Sequence, residues 1–397
     1  MKLNLPYGRH SIDDDDIAAV VEVLKSDRLT TGPAVQAFEE ELCRVMAAEN
    51  ALACSSGTAA LHLALMGVGV AAGEKVVVPS ITFAATANAA RYIGAVPVMS
   101  DVDPDTGLMT PETLAETLEL AGPVAAVIPV HMAGQVCDME KISALAIQQG
   151  AHVVEDACHA IGSFVATGEL RDPVGSCRYS SAAAFSFHPV KTIAMGEGGA
   201  ITTNDEEVAT RMRRLRHHGL RYWSDGFVLP EQSYTGDEEN PWYHEAADLG
   251  FNYRASDIQC ALGRSQLGKL SEFVSERARL VERYTRLLEP LSPVVQTVVQ
   301  PSGSTIGWHL MVALIDFETA GISRARLMRE LERRGIGTQV HYIPLHRMPA
   351  FRPFCDGQSF PGAESYYARC LSLPLFFGMK DDEVKFVVDN LSELLFG

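Results

Sequence analysis

The sequence predicts an α/β fold built on a mostly parallel sheet, followed by a smaller α+β unit. Three observations carry that expectation. Short continuous apolar runs alternate with helix-period segments from residue 51 to residue 156. After about residue 250 the rhythm changes to a long Arg- and Glu-rich helical stretch and then to more widely spaced runs. A chain of 397 residues is too long for one small core, which fits two unequal units. Apolar runs without alternation belong to strands covered on both faces, and strand–helix–strand steps join parallel neighbours. The expected division is 1–250 for the large unit and 251–397 for the small one.

The elements follow in order. Ser11 and the acids Asp13 to Asp16 predict a helix start, because carboxylates favour the positive end of the helix dipole. The runs at 51–54, 76–79, 96–99, 124–130 and 152–156 predict strands. Helices are expected after Ser55-Ser56-Gly57-Thr58 and near 83–93, 111–120 and 138–149. AAAFSF (182–187) and AITT (200–203) add two strands. Residues 220–247 are polar, with glycine, proline and tryptophan, and read as a long loop of the kind that is usually functional or mobile. A helical pattern spans 255–288. HLMVALI (309–315), a helix near 323–334, GTQVHYI (337–343) and a closing helix near 381–395 make up the small unit.

Composition narrows the function. With 33 basic and 50 acidic residues the net charge is −17, a poor match for nucleic acid or an anionic membrane. An anionic ligand would need a local cluster of donors. No apolar stretch is long enough for a membrane span, and the N-terminal residues lack the apolar core of a secretion signal. Eight cysteines are scattered with no CxxC pair, as in a reducing compartment. A cytoplasmic protein without a metal site is expected.

Three short segments carry chemistry. Lys191 lies just past AAAFSF and before a Gly-rich turn. A lysine in an apolar site becomes a nucleophilic amine able to form a Schiff base, although lysines in loops are common. Asp156 ends HVVED, at the carboxyl end of a predicted central strand, the edge where open α/β sheets bind ligands. A carboxylate there can keep the pyridine nitrogen of pyridoxal phosphate (PLP) protonated; taken alone, Asp156 would equally serve as a helix N-cap. The Ser56-Gly57-Thr58 turn offers backbone N–H groups, hydroxyls and a helix dipole to a phosphate. Phe83 could stack on the cofactor ring. His159, one helical turn after Asp156, could reach the same ring. Ser186 and His188 flank the strand end before Lys191. No GxxxxGK or GxGxxG supports a nucleotide loop of another class.

The motifs CSSGTAALHLAL, ITFAATANA, VEDACHAIGS, FSFHPVKTIAMGEGGAITTND, GFNYRASDIQCALGRSQL and QVHYIPLH resemble those of the DegT/DnrJ/EryC/StrS nucleotide-sugar aminotransferases, from about residue 6 to the C-terminus. The resemblance implies the type I PLP-enzyme fold and a homodimer with shared active sites. It implies that Lys191 is the Schiff-base lysine and general acid/base, and that Asp156 pairs with the ring nitrogen. Phe83 takes the stacking position, and Gly57, Thr58 and Ser186 take phosphate-contacting positions. Asn252 resembles an asparagine reaching the neighbouring subunit's phosphate. Thr30, His188, Arg254, His341 and Tyr342 fall where relatives meet the sugar nucleotide or line its cleft.

Within the group, the closest likeness is to the pseudaminic-acid-pathway enzymes. They aminate C4 of a UDP-linked 4-keto-6-deoxy-N-acetylhexosamine, with L-glutamate as the expected donor and 2-oxoglutarate as its product. Ala194-Met195 departs from the threonines often found there. Perosamine- or legionaminic-type sugars, or a C3 keto sugar, are the alternatives. A sugar dehydratase of this fold would replace the lysine by histidine or add a cysteine-bound cluster. A PLP-binding regulator would add a DNA-binding segment.

Overall fold

The structure, a computed structural model, describes residues 4–167, 170–222, 226–298, 305–355 and 357–397. Residues 223–225 of the expected long loop lie outside them. Two helices come first, α1 (Asp14–Leu24) and α2 (Pro33–Met46). The alternation follows: β1 (Asn50–Cys54), α3 (Gly57–Gly67), β2 (Lys75–Pro79), α4 (Ala84–Tyr92), β3 (Val96–Ser100), α5 (Pro111–Ala121), β4 (Ala126–Val127), α6 (Met139–Gln148) and β5 (His152–Asp156). A hairpin, β6 (Phe164–Thr167) and β7 (Leu170–Pro173), leads to β8 (Ala182–Ser186), β9 (Gly199–Thr203) and α7 (Glu206–Arg216).

Seven of these strands form one sheet in the order β1-β9-β8-β5-β4-β2-β3. Only β9 runs against the others, so the expectation of a mostly parallel sheet holds. Helix α3 lies under β8 and β9, buried on nearly every side. Leu61, Leu63 and Leu65 are fully buried there, and each such side chain contributes about 1.5–3 kcal/mol.

Several local expectations needed correction. The first helix is capped by Asp13, not Ser11: Asp13 accepts from the Asp16 N–H at 3.1 Å, and Asp16 accepts from the Asp13 N–H at 3.1 Å. The run 124–130 yields only the two-residue β4. Pro129 has no N–H to give a ladder, and the chain rejoins β5 through a single bridge, Val130 to Asp156. The expected loop at 220–247 contains four two-residue strands, β10 (Leu220–Arg221), β11 (Tyr234–Thr235), β12 (Glu238–Glu239) and β13 (Glu245–Ala246), paired as two small ribbons.

The helical pattern at 255–288 is two helices, α8 (Asp257–Gly268) and α9 (Leu270–Leu288). The break falls at Lys269, whose ammonium is held by Asp13 at 2.5 Å and Asp16 at 2.9 Å. Helix α8 packs on α1 and α2. A three-stranded sheet, β14 (Val295–Thr297), β15 (Met311–Ile315) and β16 (Cys370–Leu373), carries α10 (Arg324–Arg333), α11 (Pro361–Arg369) and α12 (Asp381–Phe396). Residues 337–343 make no strand. They touch β16 through one bridge, Gln339 to Ser372, and run on into the wall of a cavity.

Candidate active site

That cavity, about 510 Å³, opens beyond the carboxyl ends of β5 and β8. These strands are parallel neighbours with Asp156 opposite Ala184. Their ends bring the acid and the lysine together although 35 positions separate them in sequence (191 − 156). Valines 153 and 154 are buried in the sheet, so Asp156 is fixed where the strand stops. It is 4 % exposed. Its Oδ2 accepts from the Thr86 hydroxyl at 2.7 Å, and its Oδ1 accepts from the Cys158 N–H at 3.2 Å. Thr86 spends its proton on Asp156, so the Thr82 hydroxyl, 2.7 Å away, donates to Thr86.

Lys191 sits in the connection between β8 and the reversed strand β9. Its N–H donates to the His188 carbonyl at 2.8 Å, closing a turn that aims the side chain at the cavity. Burial pushes the ammonium pKa down, and the negative charge of Asp156 works against that push. The outcome is an amine more readily deprotonated than a surface lysine.

The turn before α3 forms another part of the wall. Ser56 is the N-cap, its Oγ accepting from the Ala59 N–H at 3.1 Å. Position 57 has to be glycine, since a Cβ there would stand 2.7 Å from the Ser186 Cβ. This closeness keeps the first turn of α3, Thr58 included, against Ser186 at the cavity. Phe83, which caps α4 rather than beginning it, is 59 % exposed, with its ring 5.8 Å from that of Tyr342.

The far part of the chain closes the cavity. His341 and Tyr342 are there, with His188 at the mouth. The Tyr342 hydroxyl lies 3.1 Å from His159 Nε2, and His341 Nδ1 lies 2.8 Å from the Ser372 hydroxyl. Burial, reinforced by the Lys191 charge, holds His159 well below its usual pKa and His341 at about 4. Burial also raises the Tyr342 hydroxyl, with Asp156 adding to the effect.

Eleven of the expected residues therefore line one cavity: Ser56, Gly57, Thr58, Phe83, Asp156, His159, Ser186, His188, Lys191, His341 and Tyr342. Three do not. Thr30 is exposed and bridges to Ser256. Asn252 is exposed and bridges to His217. Arg254 donates to His217 Nδ1 at 2.5 Å. Sequence reasoning missed Tyr7, Thr86, His309 and Gln339, which line the cavity too. Thr86, one turn after Phe83 in the same helix, carried a usable signal. His309 carried another, as a polar residue beside an apolar strand. Tyr7 and Gln339 carried none, because long-range bonds such as Leu375 N–H to the Tyr7 carbonyl place them.

With this geometry fixed, comparison with known proteins gives a consistent answer. A model of the DegT/DnrJ/EryC1/StrS aminotransferase family matches residues 10–392. The spore coat polysaccharide biosynthesis protein SpsC of Bacillus subtilis (strain 168) is 36 % identical over 402 aligned positions, covering 99 % of this chain and 97 % of SpsC. Among solved structures, Helicobacter pylori PseC, an aminotransferase involved in the biosynthesis of pseudoaminic acid, superposes with a TM-score of 0.86 at 27 % identity, covering 99 % of each chain. DesV of S. venezuelae, solved with a ketimine intermediate, superposes with a TM-score of 0.83 at 31 % identity, covering 96 % of this chain and 94 % of DesV.

Proposed function

The chain belongs to the DegT/DnrJ/EryC1/StrS aminotransferase family and is a PLP-dependent sugar aminotransferase, and from that premise we propose that it transfers an amino group from L-glutamate to C4 of a UDP-linked 4-keto-6-deoxy-N-acetylhexosamine. The observation that carries the assignment of roles is the meeting of Lys191, Asp156 and the Ser56-Gly57-Thr58 turn at one cavity. The likeness to PseC, an aminotransferase of pseudoaminic acid biosynthesis, supports a sugar precursor of that type. The likeness to SpsC supports a product destined for a surface polysaccharide. A perosamine- or legionaminic-type sugar, or a C3 ketone, is the second reading, because Ala194-Met195 departs from the threonines often found there.

The residues present fit PLP. A buried carboxylate held by Thr86 and the Cys158 N–H suits a protonated ring nitrogen. A helix N-terminus with two hydroxyl residues suits a phosphate. A lysine with a lowered pKa suits a covalent link through its amine. The bound cofactor supplies electron withdrawal and carries the amino group between donor and acceptor.

In this reading Asp156 holds the proton on the ring nitrogen, and Thr86 fixes the carboxylate's direction. With the cofactor bound, the Lys191 Nζ would serve as the acid/base that moves a proton between the carbon bearing the amino group and the cofactor side. With the keto sugar it would move the proton the other way. Phe83 would cover the ring face. Gly57, Thr58, Ser56 and Ser186 would bind phosphate, His159 would stand beside the ring, and His188, His341 and Tyr342 would face the sugar nucleotide.

Thr30, Asn252 and Arg254 lie outside their own chain's cavity, which supports a homodimer in which they serve the neighbouring site. We assign 1–250 to the cofactor-binding domain and 251–397 to the smaller domain, in a cytoplasmic enzyme with no nucleic-acid or membrane partner. No helix among the described residues is long and apolar enough to cross a membrane. The absorbance spectrum of the purified protein tests the scheme. L-glutamate should convert the near-visible cofactor band to that of the amine form, and the right keto sugar should restore it. Lys191→Ala should lose turnover by about 1000-fold or more. Turnover at the wild-type rate in that variant would overturn the assignment.

A further inference from the structure

Ala194-Met195, the pair that departs from the family's threonines, lies off the cavity. Both residues are buried, at 3 % and 2 % exposure, and neither lines the cavity wall. They close the loop that carries Lys191: the Met195 N–H donates to the Phe187 carbonyl at 2.9 Å, back at the start of that loop. Helix α8 meets them from outside. Its residues Gln259, Gly263 and Gln266 stand four and then three positions apart, the spacing of one helix face. Each meets the loop at a different point.

Gln259 Nε2 donates to the Glu197 carbonyl at 2.5 Å, while its Oε1 accepts from the Ser256 N–H at 2.8 Å. Gly263 leaves room for Met195, since a Cβ there would stand 2.8 Å from both the Met195 Cγ and Sδ. Gln266 is 1 % exposed. Its Nε2 donates to the Ser11 carbonyl at 2.9 Å and to Asp16 Oδ2 at 2.7 Å. A carbonyl oxygen only accepts, so the orientation of the amide is fixed and Oε1 is left to face the Ala194 N–H at 3.3 Å. Asp16 is in turn paired with Lys269 at 2.9 Å. A polar chain therefore runs from the ion pair at the α8–α9 break to a backbone N–H three residues past Lys191.

We propose that Gln266, supported by Gln259 and by the room left at Gly263, is a positioning residue that ties the Lys191 loop to α8 and so sets the placement of the Lys191 amine against the reacting carbon, on the reading of the cavity as the transamination site. Ala194-Met195 is then the loop's joint with α8. Its identity governs how fast the proton moves and not which sugar is chosen.

Hydrogen exchange read by mass spectrometry tests the tether without catalysis. In the apoenzyme, the peptide 192–196 should exchange at least about 10-fold faster in Gln266→Leu than in wild type, while the peptide of α5 keeps its rate. In the holoenzyme the same variant should lower kcat by about 10- to 100-fold and leave KM for both substrates within about 2-fold, as misplacement of a reacting group does. Gln266→Glu is the conservative control. Protonated, the new carboxyl gives a proton to Asp16 and accepts from Ala194. Ionised, it repels Asp16, and Asp13 and Asp16 already share Lys269. Its activity relative to wild type should therefore be near normal in acid and fall as the pH rises.

Two more variants read the joint itself. Gly263→Ala should lower kcat, and adding Met195→Ala should restore most of it by clearing the contact. Ala194→Thr combined with Met195→Thr should slow turnover of every accepted keto sugar by a similar factor. Unchanged exchange in Gln266→Leu would overturn the proposal. So would a flat relative pH profile for Gln266→Glu, additive losses at Gly263 and Met195, or a double threonine variant that alters the ratio of kcat/KM between two sugars. Should Gln266→Leu fail to fold, the glutamate variant and the Gly263–Met195 pair decide the matter. Failure of the underlying reading looks different: Lys191→Ala would keep its turnover, while Gln266→Leu would still loosen the loop.

Discussion

The cavity edge of the large sheet and the segment from His217 to Arg254 meet at the end of β1, yet they satisfy their polar and apolar groups in opposite ways. At the cavity, Asp156, Thr86 and Thr82 are bonded in one set and His159 and Tyr342 in another, all within one chain. In the other region, Ser55 donates to the Tyr253 carbonyl at 2.8 Å and Cys54 bridges to Arg254. Beyond that anchor, large apolar side chains face outward, with Trp242 at 71 % and Leu249 at 80 % exposure, and Asn252 is exposed beside them. Exposed apolar groups rimmed by polar ones mark an interaction surface. The first region is prepared for a small ligand. The second carries residues whose expected role lies outside their own cavity.

Subunit mixing breaks this comparison most sharply. Lys191→Ala disables a site through its own chain. Asn252→Asp places a negative charge where a neighbour's phosphate is expected, and should disable the partner's site. Each variant alone should be nearly inactive. Mixed after reversible dissociation, the pair should regain roughly a quarter of wild-type activity, because half the dimers are hybrids and each hybrid has one intact site. No recovery in a mixture shown to form hybrids would confine Asn252 to its own subunit and remove the argument for shared sites.

Acid should act on both regions, and the sign follows from the histidines. His341 at the cavity and His62 beneath Phe251 and Tyr253 are both lowered by burial to about 4. A group whose folded pKa lies below its unfolded value binds protons more readily when unfolded. Its stabilising contribution is present above the unfolded pKa of about 6.5 and is lost as the pH falls towards 4. The urea midpoint should therefore drop between about pH 7 and pH 5. Replacing His62 by Phe should flatten part of that slope without touching the cofactor band. His341→Phe should flatten it and alter sugar binding as well. A midpoint that rises on acidification would contradict the burial argument for both.

The sequence made the cavity edge more legible than the exposed segment, for a physical reason. Asp156 ends the run HVVED at the close of β5, and Lys191 follows AAAFSF by a few residues, so both lie near the ends of apolar runs that are plain in the sequence. The helix starts at Ser56, Thr110 and Ser256 are equally local signals. What could not be read depends on distant partners. Pro129 shortens β4 because of what its neighbours in the sheet require, and Lys269 splits the predicted 255–288 helix by pairing with Asp13 and Asp16. Residues 337–343 have a strand's composition, but β16 is met only at Gln339, so the rest crosses to the cavity. Tyr7 enters the site through a bond made by Leu375, and no local pattern records that.

The smallest expected effect gives the finest comparison, because it uses the same residue type in both settings. Ser56 caps α3 at the cavity, and Ser256 caps α8 close to Arg254. Each hydroxyl oxygen accepts a helix N–H, from Ala59 at 3.1 Å and from Gln259 at 3.3 Å. Replacing a capping serine by alanine costs about 1 kcal/mol, so Ser56→Ala and Ser256→Ala should lower stability by similar amounts in urea unfolding. The Gln259 side chain bonds back to the Ser256 N–H and hydroxyl. That hydroxyl proton is therefore committed, whereas the Ser56 hydroxyl proton remains able to meet a phosphate. Ser56→Ala should weaken retention of the cofactor on dialysis, and Ser256→Ala should not. Equal retention in the two variants would leave the phosphate to the Gly57 and Thr58 backbone and to Ser186, and would reduce Ser56 to a helix cap.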